Sequence, residues 1–258
     1  MAGDTTIRMH APVVRDGGIA DRVAVEEPLE IRVGGRALAV TMRTPGHDEE
    51  LAVGFLHGEG LLAGPVAAVG PTADFVNNVV EVDAPLRPDA PERRFYTTSS
   101  CGVCGKGALE EVAVHAEPLP AGRPVVDRAL LAGLPDRLRQ PGFDVTGGLH
   151  ATGLFDVAGT LLCVREDVGR HNAMDKVIGR ALLDGALPLH DRLLCVSGRL
   201  SFELVQKAAV GGCPVLVGVG APSSLAVELA GDRGMTLAGF ARRGRVNVYT
   251  GAERVRDR

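Results

Sequence analysis

Residues 193–240 read LLCVSGRLSFELVQKAAVGGCPVLVGVGAPSSLAVELAGDRGMTLAGF, and this stretch decides the fold class. Short apolar runs alternate in it with segments of helical periodicity. The pattern predicts strands from Leu193 to Val196, Pro214 to Val219 and Thr236 to Phe240, and helices from Ser201 to Val210 and Ser223 to Gly231. Strands that alternate with helices predict a sheet with crossover helices packed against it.

The flanking residues extend this pattern in both directions. Upstream, a hairpin from His150 to Asp156 and from Thr160 to Arg165 precedes a helix from about Gly169 to Leu183. Downstream, Val246 to Tyr249 adds a strand. We therefore predict a mixed, largely parallel sheet sandwiched by helices, which is an α/β/α domain.

The N-terminal part is rich in predicted strands. Leu29 to Val33 and Arg36 to Met42 flank Gly34-Gly35, a two-residue hairpin signal. A helix is predicted to begin at Asp48, because three successive carboxylates suit the positive end of a helix dipole. This predicts a small α+β N-terminal domain (residues 1–98), a CxxC loop and following helix (99–115) and the α/β/α domain (116–258).

The composition narrows the class of protein. The chain has 258 residues, of which 45% are hydrophobic and 23% charged, as is ordinary for a protein with a substantial core. No apolar run approaches the roughly 18 residues that a membrane span needs, and the first ten residues lack a secretory pattern. We therefore expect a cytoplasmic protein without membrane contact. A net charge of -4 does not indicate a nucleic-acid partner, and five cysteines argue against a disulfide scaffold.

Two thiols lie three positions apart in Ser99-Ser100-Cys101-Gly102-Val103-Cys104-Gly105. A CxxC pair suits sulfur transfer, redox chemistry or metal binding. The surrounding glycines let a large partner approach closely. A helix predicted from Lys106 to His115 would lower a cysteine pKa to roughly 3.5–7.5. The other three cysteines have apolar neighbours and are predicted to be buried and unreactive: Cys163, Cys195 and Cys213.

Three turns follow predicted strands and open helices, which is where open sheets collect ligands. The densest, REDVGRHNAMDK at 165–176, puts His171 and Asp175 on one helix face, so that the carboxylate can orient the imidazole. The turn SGRLS at 197–201 offers Arg199 and backbone amides to an anion. A third, glycine-rich turn occupies 218–224. A solvated helix start and simple capping by Ser201 remain the structural alternatives.

An arginine-rich loop, GFARRGR at 239–245, lies between two predicted strands. Its tight turn suits bidentate binding of phosphate by Arg242, Arg243 and Arg245. Together with the three turns, it predicts one extended ligand with several phosphates. Residues after Ala252 are expected to form a solvated basic tail. The segment TGGLH at 146–150 has two interpretations, an ordinary turn or a functional histidine, and the sequence does not decide between them.

These motifs together resemble the FdhD family, the accessory sulfurtransferases for formate dehydrogenase. The resemblance rests on SSCGVCG, TGGLH, GFARRGR and EDVGRHNAMDK, and extends to TPGHDEELA at 44–52 and VQKAA at 205–209. It covers the chain from about Glu27 to Gly251.

The resemblance implies a sulfurtransferase that acts on the bis-molybdopterin guanine dinucleotide cofactor (Mo-bisMGD). A cysteine desulfurase would load sulfur onto Cys101 as a persulfide, with Cys104 accepting or resolving it. The sulfur would then pass to the molybdenum that the formate dehydrogenase catalytic subunit needs. The family also implies a homodimer and a C-terminal domain that resembles cytidine deaminase.

The expected cofactor contacts follow from the same reasoning, with the guanine nucleotide portions as further expected ligands and no resident metal. The family motif assigns six of them and the turns two more: Phe240, Ala241, Arg242, Arg243, Gly244 and Arg245, with Arg199 and His171.

Three alternatives remain at this point. A zinc-dependent deaminase pairs H-x-E with P-C-x-x-C. His57-Gly58-Glu59 and the CxxC pair imitate that signature, but Ser100 stands where proline is needed. A cofactor-binding chaperone would use neither thiol. A thioredoxin-like oxidoreductase would need the motif to initiate a helix after a βαβ start.

Overall fold

The computed structural model describes residues 9–72, 78–88, 95–97, 116 and 118–257. The predicted CxxC motif and the helix after it, at 99–115, lie outside the described residues.

The N-terminal half is built on a five-stranded sheet of order β5-β6-β3-β4-β7. Its strands are β3 (Glu27–Val33), β4 (Arg36–Arg43), β5 (Ala68–Pro71), β6 (Val79–Asp83) and β7 (Phe95–Thr97). The predicted β3–β4 hairpin is confirmed, with Gly34 and Gly35 both at positive φ as its two-residue turn requires. Helix α1 (Asp48–Gly58) covers this sheet and begins at the predicted carboxylates.

The C-terminal half contains a six-stranded sheet of order β10-β9-β11-β12-β13-β14. Its strands are β9 (His150–Asp156), β10 (Leu161–Asp167), β11 (Arg192–Val196), β12 (Val215–Gly218), β13 (Thr236–Arg242) and β14 (Arg245–Thr250). Only the β11–β12 and β12–β13 pairs are parallel. The sheet is mixed as predicted, but the prediction that it is largely parallel was wrong, because the β9–β10 and β13–β14 hairpins and the β9–β11 pair are antiparallel.

Helices cover both faces of this sheet, which confirms the α/β/α layering. The strand residues Leu194 and Val196 point to α4 (Arg170–Leu183), α5 (Phe202–Val210) and α6 (Ser224–Asp232). Leu193 and Cys195 point the other way, to α2 (Arg128–Gly133) and the turn after it. Because successive side chains of β11 point to opposite faces of the sheet, this strand contributes to two separate hydrophobic cores.

The two halves meet where α1 crosses α4. A Cβ atom built on Gly54 would fall inside the backbone of Asp175, and one built on Gly179 inside the backbone of Glu50. Only glycine permits this close approach of two helix backbones.

Two further features went beyond the sequence prediction. A separate hairpin of β1 (His10–Arg15) and β2 (Ile19–Ala24) packs against α3 (Pro141–Thr146). The segment after Ala252, expected to be solvated, is instead docked: β15 (Val255–Arg256) pairs with β8 (Val126–Asp127). Arg254 is buried and donates to three backbone carbonyls, which a solvated tail would not allow.

Two of the three described cysteines are buried as predicted, and the third is only partly buried. Cys195 and Cys213 are buried, and burial raises the pKa of Cys213 to about 12. Cys163 is half-buried, and burial raises its pKa as well. None of the described helices has both the length and the apolarity that a membrane-spanning helix requires.

Candidate functional site

The turns singled out in the sequence come together at one edge of the six-stranded sheet. The parallel strands β11, β12 and β13 all end there. Because β9 runs antiparallel to β11, its first residue His150 lies at the same edge, beside Asp167 at the end of β10. We call this the carboxyl edge. It carries His150, the N-terminus of α4, and the loops 197–201, 218–224 and 239–245.

The arginine loop forms an open cleft of about 670 Å³ at one end of the carboxyl edge. The cleft is lined by Phe240, Arg242, Arg243, Arg245 and Asn247. Within the described part of the chain, none of its three arginines forms an ion pair, so their charge is available to an anionic ligand.

The backbone of this loop is strained at two positions. Phe240 and Arg243 have φ values of 53° and 52°, in the left-handed region that bulky residues avoid. The amide of Phe240 donates to the carbonyl of Gly220 at 3.0 Å, which holds the strained residue in place. The result is a half-exposed phenyl ring beside the arginines. Strain of about 1–3 kcal/mol per residue is typical of ligand-binding loops.

The other two loop residues have structural positions. Gly244 has a φ of 71° and turns the chain from β13 into β14. The methyl group of Ala241 is buried in the core between the sheet and α2. Ala241 as a whole is fully buried and offers no exposed atom to a ligand.

The predicted pair of His171 and Asp175 does not form. The Nε2 atom of His171 lies 3.3 Å from the Ser201 hydroxyl and 3.7 Å from the Glu203 carboxylate. The hydrogen bond with His171 lowers the pKa of Glu203 to about 2. Asp175 turns instead to Lys207 on α5, at 2.9 Å. His171 and Asp175 do lie on the same helix face, but the carboxylate of Asp175 forms its ion pair with the buried Lys207 on the next helix.

Asp175 is held in an apolar setting. Burial raises its pKa to about 6, although the ammonium of Lys207 opposes the shift. Lys207 in turn lies 3.3 Å from Glu59 and over the ring of Phe55. The ion pairs of Lys207 with Asp175 and Glu59 thus connect α5 to α4 and to the end of α1.

Two further charges of the EDVGRHNAMDK motif, Asp167 and Lys176, face inward. The buried carboxylate of Asp167 accepts from Lys176 Nζ at 2.7 Å and from the Thr44 amide at 3.1 Å. Asn172 donates to Asp167 and to the Met42 carbonyl. We call Asp167, Asn172, Lys176 and Thr44 the polar lock. It fastens the end of β4 to the first turns of α4, so these charges are neither solvated nor free for a ligand.

The polar lock also fixes the strand that leads into the CxxC motif. Thr97, the last residue of β7, is paired with Thr41 on β4. The hydroxyl of Thr41 donates to Asn172 Oδ1 at 3.3 Å. The chain therefore leaves β7 beside the first turn of α4, at the carboxyl edge. Cys101 and Cys104 themselves lie outside the described residues.

The histidine and glutamate of the deaminase-like triplet are engaged elsewhere. His57 Nε2 lies 3.2 Å from the carbonyl of Val210, at the far end of α5 from the carboxyl edge. Glu59 pairs with Lys207. Among the residues that the structure describes, no group of three or more His, Cys, Asp or Glu side chains is arranged to hold a metal ion.

The fold and the carboxyl edge define an α/β protein with two large sheets and a group of exposed arginines at one edge of the six-stranded sheet. The chain belongs to the FdhD/NarQ family, whose family model matches residues 24–256. This confirms the family that the sequence motifs indicated.

Individual relatives match over nearly their whole length. The chain is 52% identical to "Sulfur carrier protein FdhD" of Streptomyces coelicolor, covering 98% of this chain and 96% of the relative. It is 49% identical to the protein of the same name from Mycobacterium tuberculosis, covering 91% and 92%. A crystal structure of a candidate formate dehydrogenase accessory protein from Desulfotalea psychrophila superimposes with a TM-score of 0.76 at 28% identity, covering 96% and 98%.

Proposed function

We propose that this protein is a sulfurtransferase that carries sulfur to formate dehydrogenase. It takes persulfide sulfur from a cysteine desulfurase onto Cys101 and delivers it to the Mo-bisMGD cofactor. The names of its relatives as sulfur carrier proteins support this role. The protein acts in the cytoplasm as a homodimer, and its delivery partner is the catalytic subunit of formate dehydrogenase.

The position of β7 is the observation that carries the proposal. Thr97 lies at the carboxyl edge, and three residues separate it from Cys101. Four residue steps of at most about 3.6 Å span no more than about 14 Å, whatever their conformation. The sequence therefore ties Cys101 to within that distance of Thr97, which supports a role for its sulfur at the carboxyl edge.

The loading step balances as a thiol–persulfide exchange. The thiolate of Cys101 attacks the terminal sulfur of the desulfurase persulfide and forms a new S–S bond. The S–S bond to the desulfurase cysteine breaks, and that cysteine leaves as a thiolate. We assign Cys104 one of two steps on the Cys101 persulfide. Attack of its thiolate on the outer sulfur moves that sulfur to Cys104 and frees the Cys101 thiolate, whereas attack on the inner sulfur forms a Cys101–Cys104 disulfide and releases the outer sulfur as hydrosulfide, the two cysteines supplying the two electrons.

The cargo accounts for the arginine cleft. Mo-bisMGD carries phosphate groups and guanine bases, and planar guanidinium groups bind phosphate bidentately. The exposed ring of Phe240 offers a stacking surface to a base. We assign Arg242, Arg243 and Arg245 to the phosphates, with Arg199 and His171 further along the edge.

Loading is tested by intact-mass spectrometry after incubation with a cysteine desulfurase and cysteine. The wild-type chain is expected to gain one sulfur atom, about 32 Da, which dithiothreitol removes. Cys101→Ala is expected to gain none, and Cys163→Ala is the control that still gains it. A chain that never gains the mass, or a Cys101→Ala chain that gains it equally, contradicts the proposal. Full maturation of formate dehydrogenase by Cys101→Ala would indicate a cofactor-binding chaperone instead.

A further inference from the structure

Three ionisable side chains meet where the end of α1 lies against α4 and α5. The ammonium of Lys207 lies 2.9 Å from the carboxylate of Asp175 and 3.3 Å from that of Glu59. Asp175 and Lys207 are buried, whereas Glu59 is partly exposed. We call Asp175, Lys207 and Glu59 the junction triad. Because one buried ammonium faces two carboxylates, the triad carries one excess negative charge when both carboxylates are ionised.

The ion pair of the buried carboxylate is incomplete. Oδ1 of Asp175 lies 2.9 Å from Lys207 Nζ, but it accepts no well-formed hydrogen bond from any described residue. A buried charge without its full set of hydrogen-bond partners is costly. The last turn of α1 covers the pair: a Cβ atom built on Gly58 would lie 3.1 Å from Lys207 Nζ and 3.4 Å from Asp175 Oδ1. Movement of this turn away from α4 and α5 would therefore admit water to both charges.

A proton on Asp175 removes the excess negative charge of the triad. Burial raises the pKa of Asp175 to about 6, Lys207 opposes this shift, and Glu59 adds to it. Burial by itself would lower the pKa of Lys207, but the two carboxylates raise it, so that the ammonium stays charged. Once water reaches the junction, the pKa of Asp175 returns toward its ordinary value of 3.8. The closed junction therefore binds a proton more tightly than the open one.

Two histidines also lie close to the triad. Nε2 of His57, in the last turn of α1, lies 3.2 Å from the carbonyl of Val210, and burial lowers the pKa of this histidine. His171, one turn before Asp175 on α4, contacts Ser201, and its charge lowers the pKa of Asp175. A pH dependence that came from either histidine would not require Asp175.

We propose that the junction triad is a pH-dependent clamp between the two halves of the protein. Uptake of a proton by Asp175 tightens the contact of α1 with α4 and α5, and ionisation of Asp175 loosens it. The sheet under α1 includes β7, and α5 begins beside the carboxyl edge, so the clamp sets how firmly these two parts are held together. The clamp goes beyond the proposed function and does not depend on sulfur loading at Cys101.

The test is amide hydrogen exchange at pH 5 and pH 7.5, corrected for the intrinsic exchange rate at each pH. The amides of Glu59 and Leu61 report on the end of α1, because they donate to the carbonyls of Phe55 and Leu56. A pKa of about 6 in the closed junction and 3.8 in the open one predicts about tenfold higher protection at pH 5. The amide of Arg233, at the end of α6, is the internal reference and should change by less than about twofold.

Three variants separate Asp175 from the other groups. Asp175→Asn keeps the shape of the side chain but cannot ionise, so its corrected protection is expected to be equal at both pH values within about twofold. Glu59→Gln leaves one carboxylate for one ammonium and should reduce the pH dependence. Asp232→Asn is the matched control, since it removes an exposed carboxylate at the end of α6. It should keep the wild-type change of about tenfold.

Equal protection of the wild-type amides at the two pH values would overturn the proposal. A pH dependence that survives in Asp175→Asn would also overturn it, because another group, such as His57 or His171, would then be the source. The carboxyl carbon resonance of Asp175 gives a readout that needs no substitution. Its titration midpoint is expected near pH 6, and a midpoint near the ordinary value of 3.8 would contradict the clamp. Failure here with normal persulfide loading would leave the sulfurtransferase function standing.

Discussion

At the scale of single residues, the charged motifs divide by what each side chain faces. Arg242, Arg243 and Arg245 face solvent and have no ion-pair partner among the described residues, whereas Asp167 and Lys176 are buried against each other. Both groups look equally polar in the sequence. The arginine loop was predictable because glycine and strand signals surround it. The polar lock was not, because its partners Thr44 and Met42 are more than 120 residues away.

The buried ion pair of Glu50 provides a test of how a single charged residue contributes to stability. Glu50 is buried and bonded to Arg165. Burial by itself would raise its pKa, but the hydrogen bonds from Arg165 and His47 lower the pKa to about 2. A depressed folded-state pKa gives stability that is complete above the unfolded value of 4.5 and disappears as the pH falls toward 2.

We expect Glu50→Gln to lower the free energy of unfolding by about 2 kcal/mol at pH 7. The deficit should shrink as the pH falls below 4.5, because the wild-type carboxylate is then losing its advantage. Urea unfolding at a series of pH values measures this. Glu49→Gln, in the same helical turn, is the control and should cost less than about 1 kcal/mol. A deficit that does not change with pH would show that the ion pair is not its source.

At the scale of elements, local periodicity was enough for most of the chain. The strands and helices between His150 and Tyr249 lie within one or two residues of their predicted bounds. The β1–β2 hairpin was not predicted from the sequence. Most of its side chains are exposed on both faces, so its sequence lacks the alternation of apolar and polar residues that indicates a strand. The direction of each strand relative to its neighbours was not predictable either, because periodicity locates a strand but does not show which way it runs in the sheet.

The crossing of α1 and α4 provides the test at this scale. Gly54→Ala is expected to lower the free energy of unfolding by about 3 kcal/mol, because its methyl group must displace the backbone of Asp175. Gly133→Ala is the matched control at the end of α2, where nothing lies within 4 Å of the added carbon. It should be neutral or slightly stabilising. Equal unfolding midpoints in urea for the two variants would contradict this account of the crossing.

At the scale of the whole molecule, the sequence and the structure contribute different parts of the function. The motifs identified the family, and the chemistry of Cys101 stays a prediction. The structure adds that β7, which leads to Cys101, is fastened through Thr41 and Asn172 to the helix that begins at the carboxyl edge. No local pattern predicts this, because it depends on contacts between the two halves. Asn172 of the polar lock thereby connects the strand that precedes the CxxC motif with the carboxyl edge.

The most direct test of sulfur delivery follows one labelled sulfur atom through the whole protein. The chain is loaded on Cys101 with radioactive sulfur, freed of desulfurase, and mixed with formate dehydrogenase whose cofactor lacks its sulfido ligand. We predict that the label moves to the formate dehydrogenase as its activity appears, and that Cys101→Ala gives neither. Label that stays on the carrier while activity appears, or activity restored by Cys101→Ala, would contradict the account.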